Sequence, residues 1–144
     1  MAKWNKITFI SSIKENCEPR VQTTIMELIR FAESNADQVS WGRGEGYGTM
    51  TFKCKSDDYG IIPLFHITTN GQIKFQLNYL RQKCRKKEIL RDYQLKLESN
   101  FMMDFGVSYY PSDIYHRMGE MFTIRTEVDK FVQTIKNIAH RLRQ

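Results

Sequence analysis

Five cations crowd into seven residues at Arg81-Gln82-Lys83-Cys84-Arg85-Lys86-Lys87. Such a run draws polyanions by counterion release and long-range steering. It opens a predicted helix, where positive charge opposes the helix dipole at a small cost that favours an anionic partner. On a helix Arg81, Lys83, Arg85, Lys86 and Lys87 cannot all point one way, so some fall beside the end of the preceding strand. There they would join Lys53, Lys55 and Lys74 in one positive surface. Arg43 and the rings of Trp41, Tyr47 and Phe65 complete the set, since cations hold phosphates and rings stack on bases. The competing reading is a solvated helix start, with Trp41 packed in the core.

A second constellation would be catalytic. Asp57 and Asp58 precede Gln72-Ile73-Lys74, which resembles a degenerate PD-(D/E)xK nuclease half-motif. That chemistry needs carboxylates holding Mg²⁺ and a lysine near the scissile phosphate. Here the acidic pair sits in a turn, and Lys74 reads as an outward residue of an alternating strand. No catalytic residue is therefore assigned. Gly42, Gly44, Gly46 and Gly48 feed a strand, whereas a phosphate cradle feeds a helix, so they read as an inter-strand loop. Cys17, Cys54 and Cys84 are odd in number and form no CxxC pair, and His66, His116 and His140 fall in unrelated contexts. Neither a disulfide nor a metal site is expected, and no cofactor motif is present. Cys54 and His66 read as core groups.

The 144 residues, 41% hydrophobic and 12% aromatic, suit one globular domain with a real core. No apolar run is long enough to span a membrane, and the start at Met1 to Ile10 lacks a signal-peptide core. A cytoplasmic location is the expectation. The net charge of +6 adds a bias towards polyanions.

The elements that would position these residues follow from periodicity. Val21, Ile25, Leu28, Ile29 and Ala32 recur at helical spacing from Pro19 to Ser34, with Pro19 suited to the first turn. Residues before Pro19 read as an arm or an edge strand. Met50, Phe52 and Cys54 alternate with Thr51, Lys53 and Lys55, a half-buried strand. Ile61 to Thr69 and Gln72 to Leu80 read as a hairpin around Asn70-Gly71, the pair favoured in two-residue turns. That turn would set Phe65 opposite Gln76 and place Leu64, His66, Ile73, Phe75 and Leu77 on the buried face. Phe65, Ile67, Lys74, Gln76 and Asn78 would then share the other. A helix from Lys83 to Met102, a short strand at Val107 to Tyr110 and a buried connector at Glu120 to Ile124 follow. The last helix starts at a Thr126 cap and carries Val128, Phe131, Val132, Ile135, Ile138, Ala139 and Leu142 on one stripe. The expected fold is α+β, order α-β-β-β-β-α-β-α, an antiparallel three- to four-stranded curved sheet with helices on one face.

Trp41-Gly42-Arg43-Gly44, Pro63-Leu64-Phe65-His66-Ile67-Thr68-Thr69-Asn70-Gly71 and Phe75-Gln76-Leu77-Asn78-Tyr79-Leu80 together carry a family likeness. So do Gly106-Val107, Pro111, Asp113-Ile114 and Met121-Phe122-Thr123-Ile124. Over 34–142 the chain resembles an uncharacterised module of about a hundred residues found in bacterial proteins, often C-terminal to nuclease-like or defence-type domains. Met118-Gly119 departs from the proline-containing turn of that module. The resemblance implies no activity and no catalytic residues. The expectation from residues and resemblance is a binding module for nucleic acid. The alternatives are a protein-interaction or homodimerisation module, working through the sheet face or last helix, and the degenerate nuclease.

Overall fold

The computed structural model describes residues 3–43, 46–57, 60–101 and 113–144. Its first helix, α1 (Lys6–Asn16), replaces the expected arm. Asn5 decides this locally: its Oδ1 accepts from the Thr8 amide at 2.9 Å while Thr8 Oγ1 accepts from the Asn5 amide at 3.0 Å. That reciprocal cap starts the helix and buries Phe9 and Ile13, one turn apart. Only Lys3 pairs strand-like, bridging to Arg43. The next helix, α2 (Pro19–Asn35), begins at Pro19 and buries the expected stripe.

Five antiparallel strands follow in a meander, β1 (Gln38–Trp41), β2 (Thr49–Ser56), β3 (Gly60–Thr68), β4 (Gln72–Lys74) and β5 (His116–Arg117). The α+β class therefore holds, with five strands in the open sheet among the described residues. The hairpin register differs from the expectation. His66 pairs with Lys74 and Ile67 with Ile73, so the turn has three residues, Thr69 to Gly71. Gly71 takes φ +82°, the left-handed third position of a three-residue hairpin loop. A one-residue change of register flips every side chain. Phe65 and Ile67 consequently lie in the core, and His66 shares the other face with Lys74.

A bulge interrupts β3. Phe52 pairs with Phe65 but Lys53 pairs with Pro63, leaving Leu64 unmatched. Pro63 has no N–H for the ladder, which is where such a break is tolerated. The Leu64 carbonyl accepts from the Tyr93 hydroxyl at 2.7 Å, inside the core.

The strand expected to run to Leu80 stops at Lys74. Gln76 turns the chain with φ +53°, and α3 (Leu77–Lys83) begins. Its first amides are capped from far away, by the Asp113 carboxylate accepting from Asn78 at 2.9 Å and Tyr79 at 3.1 Å. The long helix expected from Lys83 is broken at Cys84, and α4 runs from Lys87 to Phe101. The strand expected at Val107 to Tyr110 lies outside the described residues. A single helical turn, α5 (Met118–Met121), begins before the expected connector and takes up its first two residues. The last helix, α6 (Arg125–Arg143), is capped by Glu127 in place of Thr126, its carboxylate accepting from the Thr123 and Ile124 amides at 2.7 and 3.2 Å.

Helices α2 and α6 cover one sheet face. Phe31, Phe52, Phe65 and Phe131 form a continuous aromatic column, with centroids 5.4, 5.3 and 5.1 Å apart. The stripe of α6, from Val128 to Leu142, is consumed in this core.

Phe65→Ala is expected to destabilise the fold by about 3–5 kcal/mol, because it empties the column. Tyr93→Phe should cost about 1–3 kcal/mol by orphaning a buried carbonyl. Urea unfolding midpoints check both, and a neutral Phe65→Ala would contradict the register.

Candidate functional site on the second sheet face

The same register defines the second face. Across it run Ser40, Thr51, His66 and Lys74, then Gln38, Lys53 and Pro63, then Lys55 and Ile61. Thr51 and Thr68 are buried at its middle, Lys53 and Lys74 are half-buried, and Lys55 is exposed. Among the described residues, Lys53, Lys55 and Lys74 form no ion pair. The carboxylate that acts on this face is Asp113, and both its oxygens are engaged by the amides of α3.

Aromatic groups flank the lysines. Lys74 Nζ sits 4.7 Å above the Tyr115 ring, and Tyr115 meets Tyr47 edge-on at 6.4 Å. Tyr47 is exposed, so one ring of this pair is open to a ligand. Tyr115 was missed in the sequence because it follows a turn-like Pro111-Ser112-Asp113 segment and has no periodic neighbours. Proximity to Lys74 is its only mark.

At the centre stands His66. Its Nδ1 lies 2.6 Å from Thr51 Oγ1. Burial pushes its imidazole below the usual 6.5; Gln76 opposes the shift, and Lys74 and Lys53 reinforce it. Gln76 is near, yet among the described residues His66 Nε2 is buried without a hydrogen bond of ordinary geometry. A neutral imidazole held this way is a positioned polar group between two lysines.

Several sequence candidates fall elsewhere. Phe65 is fully buried and cannot stack on a ligand. Trp41 is half-buried against the core, its ring edge-to-face with Phe9 at 5.3 Å. Arg43 is exposed at the end of β1. In the glycine loop, Gly48 is a packing position, where a Cβ would stand 2.5 Å from the Trp4 ring, while Gly44 lies outside the described residues. The basic segment splits instead of forming one strip. Arg81 binds the Gln94 side chain, Lys83 lies 5.7 Å over the Tyr79 ring, and Lys86 faces Asp57 at 3.9 Å. Arg85 and Lys87 are exposed.

Among the described residues the nuclease constellation does not assemble. Asp57 sits at the far end of β2, roughly 20 Å along the strand from Thr51 at about 3.3 Å per residue, whereas Lys74 is beside His66. Asp58 lies outside the described residues. Among the described residues no group of three His, Cys, Asp or Glu is placed to hold a metal. Cys54 is a core thiol, with burial pushing it up to about 11. Among the described residues no helix is long and apolar enough to cross a membrane. No family model matches the chain, and searches of curated proteins and of solved structures find no match.

His66 is held below 6.5 in the folded chain, so the unfolded chain takes up a proton first as pH falls. His116 is shifted the same way by burial. Stability from these groups is present above 6.5 and is lost as pH falls towards their folded values. Melting temperature should therefore drop between about pH 7.5 and 5.5, and His66→Gln should flatten that drop. An unchanged slope in His66→Gln would show that the imidazole titrates as it does in the unfolded chain.

Proposed function

We propose that this chain is a non-catalytic nucleic-acid-binding module that holds a single strand across the second face of its sheet. The observation that carries this reading is the set of Lys53, Lys55 and Lys74, none ion-paired among the described residues, beside the Tyr115–Tyr47 pair. Lysines along a strand track a phosphate backbone, and rings beside them stack on unpaired bases. Duplex bases are already stacked, so the rings have little to bind there. Gln72, half-buried on the same face, supplies an amide to a backbone or base edge. The likeness to modules of bacterial defence proteins favours an accessory role in the cytoplasm, presenting a strand to a partner domain. A homodimer through the last helix has lost its main support, because the stripe of α6 is buried within the chain.

Fluorescence anisotropy with labelled single-stranded DNA, single-stranded RNA and duplex tests the proposal across a salt series. Three phosphate contacts predict a log–log salt slope of about −2 for single strands. Lys53→Glu/Lys74→Glu should abolish binding, and Tyr115→Ala should weaken it by about 1–3 kcal/mol. Absent binding, or binding indifferent to Lys53→Glu/Lys74→Glu, would overturn the proposal and turn attention to a protein partner.

A further inference from the structure

His66 stands where a proton and a polyanion would be felt together. Its cross-strand partners on the second face are Thr51 on β2 and Lys74 on β4. Directly paired side chains lie about 5 Å apart at Cβ, and like charges placed so repel. Lys53, two residues from Thr51 on β2, is a diagonal neighbour on the other side. An imidazolium here would sit between two ammonium groups. The charged groups that act on the ring are Lys74 from β4, Lys53 from β2 and Asp113 ahead of β5. Both oxygens of Asp113 are already engaged by the amides of α3. The polar neighbours of the ring are Thr51 Oγ1, 2.6 Å from Nδ1, and Gln76.

This arrangement ties the charge of the ring to whatever binds the lysines. In the free chain, burial first and the two lysines next hold the imidazole neutral near neutral pH. A phosphate backbone laid along Lys53 and Lys74 offsets their repulsion and brings negative charge close to the ring. Both effects favour the imidazolium. The ring need not touch the ligand, since the charges act well within a Debye length. Binding then takes up a proton, and by reciprocity acid tightens binding. We propose that His66 makes the sheet face a pH-sensitive binder, which holds a single strand more tightly as the solution is acidified. The inference rests on the reading of this face as a single-strand site. The gain is absent well above 6.5, where the free and bound rings are both neutral. It grows as pH falls towards the lowered value of the free chain.

Fluorescence anisotropy of the full chain with labelled oligothymidylate tests this between about pH 8 and 5.5 at constant ionic strength, the range in which histidine titrates and thymine does not. Affinity should rise about fivefold or more across that range, the low end of ordinary coupling between sites. His66→Gln should remove the rise. His116→Gln should keep it, because that ring packs against Phe75, with centroids 5.7 Å apart. A second measurement needs no variant: in proton NMR the His66 ring should titrate at a higher pH with saturating oligothymidylate than without it. A flat affinity in the wild-type chain, an equal rise in His66→Gln, or an unmoved His66 titration would overturn the inference while the strand-binding reading stands. No binding at any pH would overturn both.

Discussion

The three-residue turn between β3 and β4 sets which side chains face the core and which face outward, and most of the molecule follows from it. Thr68 Oγ1 accepts from the Gln72 amide at 3.0 Å, and the Gly71 amide donates to the Thr68 carbonyl at 3.1 Å. The turn is also clamped from outside. The Thr69 amide donates to the Gly48 carbonyl at 3.0 Å, the Gly48 amide donates to Thr69 Oγ1 at 2.9 Å, and the Gly71 carbonyl accepts from Met118 at 2.9 Å. Gly71 packs against Val21 at the start of α2. These bonds tie the hairpin tip to β2, α2 and the segment entering α5, so the register is fixed from several directions at once.

With the register fixed, the sheet separates its two chemistries. Phe52, Phe65, Ile67 and Ile73 face α2 and α6, where the aromatic column joins sheet to helices. His66, Lys53 and Lys74 face away. The bulge at Leu64 is the point where both arrangements meet. It lets β3 carry a proline, and the buried Tyr93 hydroxyl satisfies the carbonyl there. Tyr93 therefore ties α4 to the sheet at the place where β4 has already left it. Asp113 plays a matching part for α3, capping its first amides from more than thirty residues away.

The charge distribution is organised by the same divisions. Arginines around the helices meet carboxylates: Arg125 with Glu27, Arg141 with Asp92, and Arg143 with Asp37. Exposed pairs of this kind contribute little to stability, but they neutralise the helical surface locally. The lysines of the sheet face have no such partners among the described residues. The cleft between α3 and α4 gathers two cations of the basic segment, Arg81 and Lys87, together with Arg91. The chain thus carries two cationic surfaces of different shape, one flat and aromatic-edged and one concave.

The sequence by itself determined the α+β class, the helices around Ile25 and Ile135, the alternation of β2 and the core position of Cys54. Each is a local property: a 3.6- or two-residue period can be counted without knowing any neighbour. The first helix was legible in principle, through Asn5 and Thr8, but a four-residue apolar run resembles a strand when the cap is not weighed. Lys53, Lys55, Lys74 and Tyr47 were recognisable as candidate site residues by type, since charge and aromaticity are intrinsic to the residue. Tertiary structure alone decided the rest. Asn-Gly suits both two- and three-residue turns, and contacts to Gly48, Val21 and Met118 chose the second. The end of β4 and the start of α3 depended on Asp113, distant in sequence. The packing of Phe65 and Trp41 against the core, the placing of Tyr115 beside Lys74 and the splitting of the basic segment all follow from long-range contacts. A residue's chemistry is written where it stands, but its neighbours are set by how the whole chain packs.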